Sequence, residues 1–274
     1  MRLAISNIAW DVAEDEQVAA LLQQHGVDAI DIAPGKYFPQ PRAATDADID
    51  RVAAWWRARG IAITGMQALL FGTTGLNVFG DAASQQGMLD HLDGVCRIAG
   101  RLNATRLVFG SPKARDRAGL DDAQTDAAAV AFFRRLGDIA QQHGVVICLE
   151  PNPASYGCNF MTHSAEAGRM VALIAHPAIR MQLDTGAIAA NGEDPETVIR
   201  DNAPHIGHIH ASEPELATLG DRQTDHGTIG ALVARYLPDH LVTIEMLGGS
   251  EAHPVAIARA LEVAKQYYGA QHPH

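Results

Sequence analysis

Eight times over, with a period of about thirty residues, the chain alternates a short β-rich run with an amphipathic helical stretch. The first four runs are LAISNI at 3–8, AIDIA at 29–33, IAITGMQ at 61–67 and RLVFGS at 106–111. The last four, VVICLE, IRMQLD, IGHIH and LVTIE, end at Glu150, Asp184, His210 and Glu245. Apolar residues at helical spacing predict helices near 14–25, 46–59, 83–102, 121–143, 163–175, 194–203, 226–236 and 253–268. Several carry start and stop signals: Thr45-Asp46 opens the second, and His25-Gly26, Arg59-Gly60 and His143-Gly144 close the first, second and fourth. Strict alternation predicts a parallel sheet with helices covering it. An open doubly wound sheet would need a glycine-rich phosphate loop after its first strand, and the turn there, NIAWDVAED, has none. The expected fold is therefore α/β, a (β/α)8 TIM barrel, in one domain over 1–268 followed by a solvated tail at 269–274. With 274 residues, 47% of them hydrophobic, the chain is long enough to fill such a core.

Charge and cysteine content narrow the function classes. The chain has 21 basic and 32 acidic residues and a formal net charge of -11 at pH 7. It repels polyanions, which argues against nucleic acid or an anionic membrane as partner and for a small molecule. Its three cysteines, Cys96, Cys148 and Cys158, contain no CxxC pair, so neither a disulfide framework nor a thiolate zinc site is expected. No apolar run approaches about 18 residues, and Met1 leads directly into a strand-like segment. A cytoplasmic location is the resulting expectation.

The chemistry-bearing residues follow from the strand ends. Alternate side chains of a strand share a face, so Glu150 pairs with Cys148, Asp184 with Gln182, His210 with His208 and Glu245 with Thr243. Leu149, Leu183, Ile209 and Ile244 form the opposite, aliphatic face, suited to covering by helices. In such barrels the reactive groups sit at the C-terminal ends of the strands, which is where all four ligand-type residues fall. Three carboxylates and one imidazole are a hard donor set suited to one divalent ion, Mn²⁺ first and Mg²⁺ or Co²⁺ as alternatives. His208 is read as a core residue or a support for His210 rather than as a ligand.

The segments LEPNP, LDTGA, HIHASEP and IEML resemble those of the xylose isomerase-like barrel superfamily, in its sugar isomerase and epimerase branch of the D-tagatose 3-epimerase type. The resemblance implies that Glu150, Asp184, His210 and Glu245 hold one metal ion. It implies also that Glu150 and Glu245 act as an acid/base pair on a ketose or related polyol-ketone, through an enediolate. A sugar substrate and a homo-oligomer are further implications.

Two positions depart from that pattern. Ala187 stands where those epimerases carry a histidine after the strand-six aspartate, and Leu216 where they carry an arginine. Trp10, Gln67, Tyr156, Asn159, Glu213 and His226 are the substrate-contact candidates, lying at or after strand ends on the same side. Lys36, Arg42, Lys113, Arg115 and Arg117 lie on loops of that side and leave a substrate anion open. An inosose dehydratase-like lyase, using His226 to protonate a leaving hydroxyl, is the alternative reading. A non-catalytic sugar-binding barrel is disfavoured by retention of both glutamates. An apurinic endonuclease is disfavoured because the strand ends at Gln67, Phe109 and Asp184 lack its extra histidines.

Overall fold

The computed structural model describes residues 1–222 and 224–269. Eight strands pair in parallel and in chain order: β1 (Leu3–Ser6), β2 (Ala29–Ile32), β3 (Ala62–Met66), β4 (Arg106–Phe109), β5 (Val146–Leu149), β6 (Ile179–Asp184), β7 (Ile206–Ser212) and β8 (Val242–Glu245). The ring closes where β8 pairs with β1, Val242 against Leu3 and Ile244 against Ile5. The fold is the expected (β/α)8 TIM barrel.

Nine α-helices lie among the described residues, against the eight expected: α1 (Asp15–His25), α2 (Asp46–Arg57), α3 (Ala82–Leu102), α4 (Asp122–Gln142), α5 (Ser164–Ile174), α6 (Thr185–Asn191), α7 (Pro195–Asn202), α8 (His226–Tyr236) and α9 (His253–Tyr268). The additional one is α6, whose TGAIAAN sequence is too short and too small-sided to show a helical period. It begins on Asp184 itself, whose carboxylate accepts the Ala187 N–H at 2.6 Å and so caps the helix. The signal at Thr45 is a capping box: its hydroxyl accepts the Asp48 N–H, and the Asp48 carboxylate accepts the Thr45 N–H. Gly26 ends α1 in the left-handed conformation, φ 67°, that a side chain disfavours. Of the expected tail, Gly269 follows α9, and 270–274 lie outside the described residues.

The faces of the strands divide as their alternation predicts. Leu149, Leu183, Ile209 and Ile244 are buried in the apolar core, while Cys148, Gln182, His208 and Thr243 are buried on the other face. Burial pushes the Cys148 thiol up to about 12, so it stays protonated and inert. All three cysteines are free and buried. Asp31 on β2 accepts a hydrogen bond from Thr64 of β3 (3.0 Å) and another from Thr243 of β8 (2.9 Å), and lies 2.6 Å from His208 Nε2 of β7. Both Asp31 and His208 are buried. Burial alone would raise the Asp31 carboxyl, but His208 outweighs it and holds Asp31 below the usual range. No helix among the described residues is long and apolar enough to cross a membrane.

Candidate metal centre

Four strands deliver the four ligand-type residues to one point. Pairing places Asp184 beside His210 and Glu245 beside Ser212, so β6, β7 and β8 end in step. His210 Nδ1 lies 3.2 Å from Glu245 Oε2, 3.5 Å from Glu150 Oε1 and 4.0 Å from Asp184 Oδ2. One ligand atom from each of the four falls within 4.8 Å of all the others, and all four residues are buried.

The rest of the shell orients these groups. Each glutamate gives one oxygen to an amide: Asn152 Nδ2 donates to Glu150 Oε2 at 3.0 Å, and Gln67 Nε2 donates to Glu245 Oε1 at 2.6 Å. Ser212 Oγ donates to Asp184 Oδ2 at 2.8 Å. A side chain at Gly110, just after β4, would overlap the Glu150 carboxylate and push it from this position. Arg115 is fully buried and donates to the Glu150 backbone carbonyl at 2.7 Å and to Asn152 Oδ1, which turns the amide of Asn152 toward Glu150. Burial pushes its guanidinium below the usual arginine range.

What remains unsatisfied points to a cation. Glu150 Oε1 and both ring nitrogens of His210 are buried without a hydrogen-bond partner. Orphaned polar atoms of this kind are costly unless something unseen completes them. Protons respond to the same crowding. The Asp184 carboxyl is pushed well above its usual value by burial and by the charges of Glu245 and Glu150. His210 is raised well above its usual value, the pull of Glu245 and Glu150 outweighing burial. Glu245 goes down, because His210 outweighs the effect of burial. Three carboxylates that cannot all ionise alone, around an imidazole with a free nitrogen, are a donor set that fits a divalent ion.

A cavity of about 680 Å³ opens above the cluster at the C-terminal mouth of the barrel. Glu150, Asp184 and Glu245 line it, as do Gln67, Tyr156 and Glu213 of the substrate-contact candidates. The other three candidates lie elsewhere. Trp10 is buried with its indole N–H on Asp15 at 2.8 Å, packed in the core rather than walling the cavity. Asn159 fastens one loop to another, donating to Asp116 and accepting from the Arg117 N–H. His226 is buried behind the wall, with Nδ1 2.7 Å from the Tyr268 hydroxyl and Nε2 3.1 Å from Glu213. Both its nitrogens are engaged, so it is not placed to protonate a leaving group. Of the basic loop residues only Lys36 lines the cavity; Arg42 and Arg117 pair with Asp90 and Asp122, and Lys113 is exposed.

Asp31, Asn152 and Ser212 escaped the sequence reading. Ser212 had a signal, since it continues the face shared by His208 and His210. Asp31 had a weaker one, a single acid inside the apolar run AIDIA.

Several solved structures share this architecture. A D-psicose 3-epimerase from Clostridium cellulolyticum matches with a TM-score of 0.82 at 18% identity, over 98% of this chain and 99% of its own. A 3-keto-D-glucoside 4-epimerase from E. coli matches at 0.78 and 14%, over 97% and 99%. The IOLI protein, solved with a bound zinc atom, matches at 0.77 and 16% over the full length of both chains. No curated protein sequence matches significantly. The model of the xylose isomerase-like TIM barrel family matches residues 19–262, most of the barrel from α1 to α9, and the chain belongs to that family.

Proposed function

We propose that the chain is a divalent-metal-dependent epimerase or isomerase of keto-sugars, with Glu150 and Glu245 as its acid/base pair. The observation that carries this is the convergence of those two carboxylates on the orphaned His210 at the floor of a cavity. Epimerases of psicose and of a keto-glucoside among the structural neighbours support the same class.

Glu150, Asp184, His210 and Glu245 would hold the ion, Mn²⁺ by preference, with Mg²⁺, Co²⁺ and zinc to be compared. Bound there, such an ion supplies charge that acidifies the carbon beside a carbonyl and stabilises the resulting enediolate. The protein's part is to orient and to move protons. Glu150 Oε1 and Glu245 Oε2 face His210, whereas Glu150 Oε2 and Glu245 Oε1 are held by Asn152 and Gln67. An amide donor occupies only one lone pair of a carboxylate oxygen, so these outer oxygens remain able to exchange a proton with a substrate carbon. β5 and β8 stand three places apart in an eight-strand ring, so the two glutamates approach a bound sugar from different sides. One removes the proton and the other returns one to the opposite face, inverting the centre; return to the neighbouring carbon moves the carbonyl instead. The burial of His226, with both nitrogens engaged, removes the group that would favour the lyase. Three free, buried cysteines fit a reducing compartment such as the cytoplasm.

The test is Glu245→Gln in the metal-loaded protein. Loss of a general acid/base lowers turnover by about 10²–10⁴-fold, and a variant that keeps wild-type turnover would contradict the assignment.

A further inference from the structure

The rim of the cavity is largely apolar, with Glu215 and Lys36 as its charged members. Six large hydrophobic side chains are exposed among the described residues, and three of them line this one cavity: Phe71 (83% exposed), Leu247 (48%) and Tyr156 (41%). They come from three different loops, after β3, β8 and β5, and Leu216 joins them from the loop after β7. Scattered exposed hydrophobics are ordinary, but a cluster gathered from several loops at one cavity mouth marks a binding surface.

The rim is also fixed in place. The Glu215 N–H donates to the Tyr156 hydroxyl at 2.8 Å, and the Leu247 N–H donates to the Leu216 carbonyl at 2.9 Å. With its hydroxyl engaged by the backbone, Tyr156 offers the cavity its ring. Glu215 and Leu216 both adopt left-handed backbone, φ 62° and 54°, a conformation that persists where surrounding contacts over-determine it.

The cavity is therefore two-ended, with the carboxylate cluster, Gln67 and Asn152 at the floor and an apolar rim above. An anion clamp is missing among the described lining residues. Lys36 is the only basic one, and its ammonium already donates to the Asn7 and Trp10 carbonyls at 2.7 and 2.5 Å. Phosphate recognition would call for a fork of arginine or several free N–H groups.

The geometry points to a keto-sugar that carries an apolar aryl or alkyl group, a keto-glycoside rather than a free or phosphorylated ketose. Its sugar ring lies over the carboxylate cluster and its aglycone lies on Phe71, Tyr156, Leu216 and Leu247. The sugar end of this assignment rests on the function proposed above; the apolar end stands on the rim.

Calorimetric titration of the full chain with methyl β-D-glucopyranoside, phenyl β-D-glucopyranoside and glucose 6-phosphate tests it without requiring turnover. Phenyl glucoside is expected to bind roughly tenfold tighter than methyl, from the apolar area that its ring buries. Leu216→Arg and Phe71→Ser should each cut that preference severalfold, with thermal melts checking that both variants fold. Equal affinity for the two glucosides, no binding of either, a preference for the phosphate, or a phenyl preference untouched by both variants would overturn the proposal. So would a Phe71→Ser variant that splits a dimer while wild type shows no phenyl preference, since the rim would then be a contact between copies. Deuterium exchange into the 3-keto forms of the same glucosides reads the other end separately. Phenyl preference without exchange keeps the apolar site and removes the enolisation reading; exchange into free ketoses without phenyl preference does the reverse.

Discussion

His210 has two buried ring nitrogens and no hydrogen-bond partner, in a site where Asp184 is pushed toward its protonated form and His210 toward its charged form. Without an ion, Asp184 and His210 therefore hold more protons in the folded protein than in the unfolded chain, whereas Glu245, held below its ordinary 4.5, holds fewer in acid. The stability this contributes is fully present below the ordinary values, 3.8 for Asp184 and 6.5 for His210, and is lost as pH rises through the raised folded values. A divalent ion competes with those protons, so its binding strengthens as pH rises and releases protons. Melting curves of chelator-treated and Mn²⁺-loaded protein should diverge more at about pH 8 than at about pH 5.5; a gap independent of pH would contradict the ligand assignment. Asp31 offers a second test at this scale. Its partner His208 is buried across the barrel on β7, so Asp31→Ala leaves that imidazole only the Thr243 hydroxyl at 3.4 Å and is expected to cost about 3–5 kcal/mol in denaturant unfolding.

Among the elements, β4 and α2 make separable predictions. Gly110 follows β4 beside the Glu150 carboxylate, and adding a methyl group there forces the carboxylate aside. Gly110→Ala should weaken metal binding by roughly 10–100-fold by calorimetry while leaving the far-UV spectrum unchanged. On α2 the capping box is remote from the site, and Thr45→Ala should cost about 0.5–2 kcal/mol of stability with metal affinity intact. The legibility of each element in the sequence has a physical basis. The convergence of Glu150, Asp184, His210 and Glu245 was legible because strand alternation and strand ends fix where a side chain points. α6 was not, because seven small residues carry no period and its cap, Asp184, reads equally well as a strand end. Trp10, Asn159 and His226 sit on loops or at a helix start, where no period states which way a side chain turns; Trp10 and His226 turned inward, to Asp15 and to Tyr268. Asp31 was invisible as the partner of His208 because the two lie 177 positions apart.

For the molecule as a whole, eight repeats set a ring in which residues distant in sequence become neighbours, and solved structures at 14–18% identity share that architecture. Within that shared ring this chain has Ala187 and Leu216 on the cavity wall and no arginine among the described lining residues, so its specificity must come from other groups. The proposed reaction is enolisation of a keto-sugar at the Glu150, Asp184, His210 and Glu245 cluster. It is tested most directly by deuterium uptake from D₂O, followed by NMR, into free ketoses, inososes and 3-keto-glucosides, with Mn²⁺-loaded protein beside a chelator-treated control. Metal-dependent exchange at a single carbon next to the carbonyl, abolished in Glu245→Gln, is the predicted result. Tightly bound metal with no exchange into any of these ketones would contradict it.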